Sequence, residues 1–157
     1  MKVMAWDQST NISAWSFFVD GSYVDSGVID LSKNKNTEER VKQMGLNICN
    51  QIKNCSPDIV FIEDVQQQSN AATLKLLARI QGIAIGYATA HDMPIHILPP
   101  SKWRSALNFK QGAGVKRPEL KAQAIEYVGR TFGLNGLTED QCEAVCINAA
   151  AHKVYKL

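Results

Sequence analysis

The sequence is poor in cysteine, with four in 157 residues: Cys49, Cys55, Cys142 and Cys146. That density builds no disulfide scaffold. Cys142 and Cys146 stand four apart, on one helix face, as two metal ligands would. No nearby Cys/His pair completes a zinc site at the usual spacing. The four therefore read as reduced, buried thiols, which fits a reducing cytoplasm. Long apolar runs are missing as well. No window reaches about 18 uninterrupted apolar residues, and no basic-then-apolar segment precedes a cleavage site. Neither a membrane span nor a secretion signal is expected. Strong net charge is also absent: 17 Lys+Arg against 15 Asp+Glu leave +2, so global charge does not announce a nucleic-acid binder.

What remains is an ordinary globule. A hydrophobic content of 45% with 20% charged residues suits one domain, residues 1–157, with a core large enough to fold alone. The distribution of charge is more informative than its sum. Residues 73–130 hold nine Lys/Arg, Lys75, Arg79, Lys102, Arg104, Lys110, Lys116, Arg117, Lys121 and Arg130, against three acids, a net +6. Solvated helix faces are one reading of this stretch; a phosphate-contacting side is the other.

The organising stretch is VMAWDQST, residues 3–10. Apolar residues run up to Asp7 and a polar turn follows. A carboxylate at the end of a buried strand costs desolvation unless a cation meets it. Residues 1–7 read as that strand. Residues 13–19 and 22–31 read as two more, joined at Asp20-Gly21, a hairpin signal between apolar runs. Thr37 is a possible N-cap of a helix running to about Cys55, with its apolar stripe on Val41, Met44, Leu46, Ile48 and Ile52.

Residues 58–65, DIVFIEDV, form the fourth strand. Alternation sends Ile59, Phe61, Glu63 and Val65 to one face and Val60, Ile62 and Asp64 to the other. Both faces are mostly apolar, as in a central strand. Glu63 is either a surface acid at a strand end or a partner for Asp7. A polar loop, 66–71, precedes a long helix, 72–91, that is apolar nearly all round. Gly82 and Gly86 would admit another backbone. This helix is either central to a two-layer core or turned by its second face to another subunit. Residues 94–99 make a short fifth strand, from which His96 alternates outward. A short helix follows, with Ser101 as N-cap, then a Gly-x-Gly loop, then an amphipathic helix over 116–132, stopped by Gly133.

The last helix begins after Thr138, with Gln141 three residues on, a capping box, and runs to about Tyr155. Asp140 and Glu143, three apart, share a face of its first turns. Acids are common there for helix stability alone, and Glu139 fits that reading best. His152 reads as a C-terminal cation or surface residue.

If strands one and four are neighbours, Asp7 and Glu63 lie side by side, and the last helix need only pack against that edge to add Asp140 and Glu143. Four carboxylates that close repel unless cations sit between them. Oxygen ligands select Mg²⁺ or Mn²⁺ over zinc. Two such ions about 4 Å apart can activate a water and stabilise the leaving oxygen of a phosphodiester.

Strand–hairpin–strand with Asp at the end of strand one, then I-E ending strand four, resembles the ribonuclease H/integrase superfamily. The ARIQG stretch, P-S-K-W-R, the basic Gly-x-Gly loop and D-Q-C-E-A resemble one branch, the RuvC-type Holliday-junction resolvases, most of all the short phage versions. The resemblance implies an α/β, ribonuclease H-like fold: a five-stranded mixed sheet of order 3-2-1-4-5, strands one to three antiparallel, helices on both faces. It implies a homodimer that nicks opposing strands of a four-way junction, in the (host) cytoplasm, with two Mg²⁺ per site or Mn²⁺ in their place. Asp7, Glu63, Asp140 and Glu143 fall on the metal-binding acids, Glu143 where aspartate is usual. Arg104 falls on the first catalytic basic position, with Lys102 beside it, and Lys116 or Arg117 on the second. DNA contacts are expected from Lys102, Arg104, Lys110, Lys116, Arg117 and Lys121. Gln66 stands where the family often has a stacking aromatic, and Gln-Ser-Thr-Asn follows Asp7 where Pro-Gly is common. Two other functions remain open: a branched-DNA-binding protein of the same fold with weak or no cleavage, and an actin/hexokinase-type nucleotide binder, for which the chain is short.

Overall fold

The computed structural model describes residues 1–66 and 70–157. Its elements are β1 (Lys2–Asp7), β2 (Ile12–Val19), β3 (Ser22–Asp30), α1 (Thr37–Cys55), β4 (Ile59–Glu63), α2 (Ala71–Ala90), β5 (Ile95–Leu98), α3 (Pro100–Ala106), α4 (Arg117–Phe132) and α5 (Glu139–Tyr155). The expected loop over 66–71 lies partly outside the described residues, and α2 begins within its last position. The sheet order is β3-β2-β1-β4-β5. β1–β2 and β2–β3 pair antiparallel. β1–β4 and β4–β5 pair parallel. The expected ribonuclease H-like topology is therefore present.

Local chemistry sets each corner. Asp20 and Gly21 both have positive φ, 49° and 77°. That is the turn whose twist suits a two-residue hairpin. Gly133, φ 67°, closes α4 in the left-handed conformation, and Thr138 with Gln141 forms the reciprocal capping box of α5. Two caps differ from expectation. Asn36, not Thr37, caps α1, its side chain accepting the Glu39 N–H at 3.1 Å. Pro99 precedes α3, with Pro100 in its first turn. Proline lacks the N–H that a cap would have to satisfy, so the helix starts one turn-position earlier than Ser101.

Alternation along β1 and β4 separates two cores. Met4, Trp6, Val60 and Ile62 face α1 and α2, packing on Met44, Ile48 and Ile80. Val3, Ala5 and Phe61 face the other way, against Trp103, Val145 and the rest of the α3–α5 layer. Asp7 continues the Val3–Ala5 side by period two. The helix buried on all sides is α5, whose residues Cys142 to Ala151 are all buried. It lies between the sheet and α4, and its run of alanines lets both approach. α2 instead buries only Ile80, Ala84 and Ala88. It packs on α1 and leaves Ile83 37% exposed. Gly82 and Gly86 face open space.

Two histidines are less exposed than their sequence positions suggested. His96 stacks on Phe61 and touches the Tyr155 ring. His152 stacks on Phe18 at 5.8 Å, and burial lowers its pKa, so it is no C-terminal cation at neutral pH.

Candidate active site

The β1–β4 register pairs Trp6 with Ile62, so Asp7 and Glu63 end adjacent parallel strands. α5 reaches them because it is pinned deeper in the core. Asn148 Nδ2 donates to the Val3 and Ser16 carbonyls at 3.1 and 3.3 Å. Ser16 Oγ donates to the Ala144 carbonyl at 2.8 Å. These bonds fix the helix along the sheet and bring its first turns to the strand ends. Carboxylate oxygens of Asp7, Asp140 and Glu143 then lie within 4.8 Å of one another. Glu63 stands beside this trio, outside it, in the same cleft of about 660 Å³.

Three of the carboxylates carry the electrostatic mark of burial. Burial pushes the Asp7 carboxyl well above the usual carboxylate range, and the charges of Glu63, Glu143 and Asp140 push the same way. Burial also raises Glu143, opposed by Lys121 and Arg104. Burial raises Glu63, opposed by a hydrogen bond from Trp103 and the charge of Arg104. Burial disfavours the charged form in all three, and only at Asp7 do the neighbouring acids come next among the causes.

Basic side chains face these acids. Arg104 from α3 places one nitrogen 3.9 Å from both Glu63 Oε1 and Glu143 Oε1. Lys121 from α4 lies 2.9 Å from Asp140 Oδ1 and 2.9 Å from Glu139 Oε2, with Glu143 at 4.0 Å. Partial burial lowers its pKa, but the acids around it outweigh this and the net shift is upward. Arg117, four residues before Lys121 on the same helix face, also lines the cleft. Of the six basic residues expected to meet DNA, these three line the cleft. Lys102 lies over the Tyr155 ring at 5.3 Å. Lys110 and Lys116 are exposed outside the cleft. Lys121 thus belongs with the acids rather than on an outer surface, and of Lys116 and Arg117 it is Arg117 that reaches the cleft.

Two neighbours of the acids were given no role of their own by the sequence. Trp103 donates its indole N–H to Glu63 Oε1 at 2.8 Å. Gln8 lines the cleft next to Asp7 with both amide atoms shielded from solvent and, among the described residues, without a hydrogen-bond partner.

The donor set tests well for a hard divalent cation. It is all carboxylate, with three of its members tightly grouped where a strand end meets a helix start. Asp7, Asp140 and Glu143 would hold such an ion, and Glu63 with Asp7 a second. Glu143 is in the trio despite its extra methylene.

The family model for the crossover junction endodeoxyribonuclease RuvC matches residues 18–135, well over half of the chain. The chain belongs to the RuvC family. That membership removes the nucleotide-binder reading. RuvC of Alkaliphilus metalliredigens is 27% identical over 84 residues, 54% of this chain and 51% of its own length. RuvC of Xylella fastidiosa (strain Temecula1) is 29% identical over 109 residues, 69% of this chain and 60% of its own length. The chain thus spans half to three fifths of the curated relatives it matches. Among solved structures, Thermus thermophilus RuvC in complex with Holliday junction substrate superposes with TM-score 0.79 at 15% identity, covering 99% of this chain and 96% of that one. The yeast mitochondrial Holliday junction resolvase Ydc2 superposes with TM-score 0.61 at 13% identity, covering 96% and 78%. These likenesses establish the fold. The matched stretch of this RuvC member includes Glu63, Arg104, Arg117 and Lys121; Asp7, Asp140 and Glu143 lie outside it and join the site through geometry.

Proposed function

We propose that the chain is a metal-dependent endonuclease that cuts four-way DNA junctions, working as a homodimer. The observation that carries this reading is the meeting of Asp7, Asp140 and Glu143 beside Glu63, faced by Arg104, Arg117 and Lys121, in one cleft of a RuvC-family fold.

Each residue has a task that follows from its position. Asp7, Glu63, Asp140 and Glu143 present fixed oxygens from strand ends and a helix start, so little reorganisation is needed when charge develops. Two Mg²⁺, or Mn²⁺, held there would supply an activated water and stabilise the leaving oxygen. Arg104 and Lys121 offset the negative charge of the acids and present donors to a phosphate drawn to them. Arg117, at the start of α4, extends the basic wall along which a backbone would run. The net +6 of residues 73–130 supplies attraction without sequence preference. Paired nicking asks for two such clefts. The apolar outer face of α2, which no other element of the described chain covers, is the surface we assign to self-association.

The test is cleavage of a labelled four-way junction with and without Mg²⁺. Asp7→Asn lowers cutting by at least about 100-fold and leaves junction binding in place. Binding by the parent chain with no cutting at any Mg²⁺ or Mn²⁺ concentration would instead identify a branched-DNA-binding protein.

A further inference from the structure

We propose that Trp103 is a positioning residue for the metal site, because it decides which oxygen of Glu63 is left for the cation. The inference rests on the nuclease reading above and deepens it.

Glu63 is the one acid of the four held outside the Asp7–Asp140–Glu143 trio. Its side chain is long and would sample several rotamers at a strand end. Trp103 removes that freedom. Its indole N–H meets Glu63 Oε1 at 2.8 Å, and the contact from Arg104, at 3.9 Å, falls on the same oxygen. Among the described residues no hydrogen bond goes to Oε2. One oxygen is tied to the protein wall and the other is left to the cleft that Glu63 lines.

The indole can do this because it is itself immobile. Trp103 is fully buried, meets Phe109 edge-on at 5.7 Å and lies under the Arg104 guanidinium at 4.9 Å. One side chain thereby seats both Glu63 and Arg104. Burial alone does not explain the bond: Trp6, equally buried, has an indole nitrogen with no partner among the described residues. Indole nitrogen donates and never accepts, so the bond is made to an ionised or acceptor oxygen and fixes its direction. Partners of this kind, one step removed from the metal, tune affinity by orienting the ligand.

The experiment measures Mn²⁺ binding to the metal-free protein by titration calorimetry, with no DNA present. Trp103→Phe keeps an aromatic ring in the core and deletes the donor. It weakens Mn²⁺ about 10-fold or more. In a Glu63→Gln background the same change adds nothing, because the oriented carboxylate is already gone. Phe109→Leu disturbs the same packing without touching the bond; it lowers the melting temperature and leaves Mn²⁺ affinity within about two-fold. The proposal is overturned if Trp103→Phe binds Mn²⁺ like the parent, if its effect persists in Glu63→Gln, or if Phe109→Leu weakens binding as much. Should Trp103→Phe fail to fold, NMR of the unaltered chain decides. The Trp103 indole N–H signal, assigned through its contact with Phe109, shifts on adding Mg²⁺ and stays put in Glu63→Gln; an unmoved signal in the parent overturns the proposal. A parent that binds Mn²⁺ through Trp103 yet cuts no junction ends the nuclease reading alone. One that cuts junctions with an Mn²⁺ affinity blind to Trp103 ends this inference alone.

Discussion

Asp7, Glu63 and Glu143 all hold their protons more tightly than free carboxylates do, burial being the first cause in each. For an acid whose folded pKa exceeds its unfolded one, the folded state binds more protons across the interval between them. Stability is therefore highest below the unfolded pKa and falls as pH rises through the folded one. Each pKa unit of that gap costs about 1.4 kcal/mol once pH exceeds both values. The metal-free protein should lose melting temperature from the ordinary carboxylate range upward. Asp7→Asn, which removes an acid raised by burial and by three neighbouring carboxylates, should melt higher than the parent at pH 8 in EDTA. Added Mg²⁺ should stabilise the parent at that pH and do little for the variant. Melting curves across pH with EDTA or Mg²⁺ check this; a parent that gains stability with rising pH in EDTA contradicts it. Asp7, Asp140 and Glu143 were readable because an acid after an apolar run, or in the first turn of a helix, stands out. Trp103 was not, since a tryptophan in an amphipathic stretch reads as core, and it is core. Only its neighbour makes it more.

At the scale of elements, the site depends on how α5 lies on the sheet. Asn148 and Ser16 carry that placement through buried hydrogen bonds to Val3 and Ala144. Asn148→Ala leaves these acceptors unpaired and should cost about 2–3 kcal/mol, read by urea denaturation. Because it also frees the first turns of α5, Mg²⁺ affinity should fall with it. A variant with full stability would show that packing alone holds the helix. An asparagine within an alanine-rich helix gives no sequence sign of this role, since its three acceptors come from positions more than a hundred residues earlier. Strand and helix existence was legible from periodicity and from Asp20-Gly21. The caps were less so: Asn36 and Thr37 are both good capping residues, and the backbone geometry chooses between them. α2 and α5 show the limit of composition. α2 is apolar nearly all round yet has one bare side, while α5, with acids in its first turns and Asn148 midway, is the one enclosed.

For the whole molecule, the bare side of α2 together with α1 forms an apolar surface bearing Leu46, 56% exposed, and Ile83, 37% exposed. If this face joins two copies, Ile83→Lys should give a monomer by light scattering at tens of micromolar. Its clefts would be intact, so single nicks should persist while paired nicking of one junction falls. A parent that is already monomeric there contradicts the assignment. Gly45 sits under the same face, where an added Cβ would come within 2.5 Å of Ile83 Cδ1. The approach of α1 and α2 is thus close, and changes at Gly45 should disturb the same surface.

The sequence by itself determined the alternation of strands, the hairpin, the helix stops and the order in which four acids appear along the chain, because local sterics and hydrophobic period act over a few residues. It also carried the family resemblance that the RuvC match bears out. Only the tertiary structure decided which acids share oxygens within reach of one ion, that Lys121 joins them while Lys102 and Lys116 stay outside, and that Trp103 holds Glu63. Those facts depend on the parallel register of β1 with β4 and on the seating of α5, which are set by contacts between residues far apart in sequence, where no local pattern reaches.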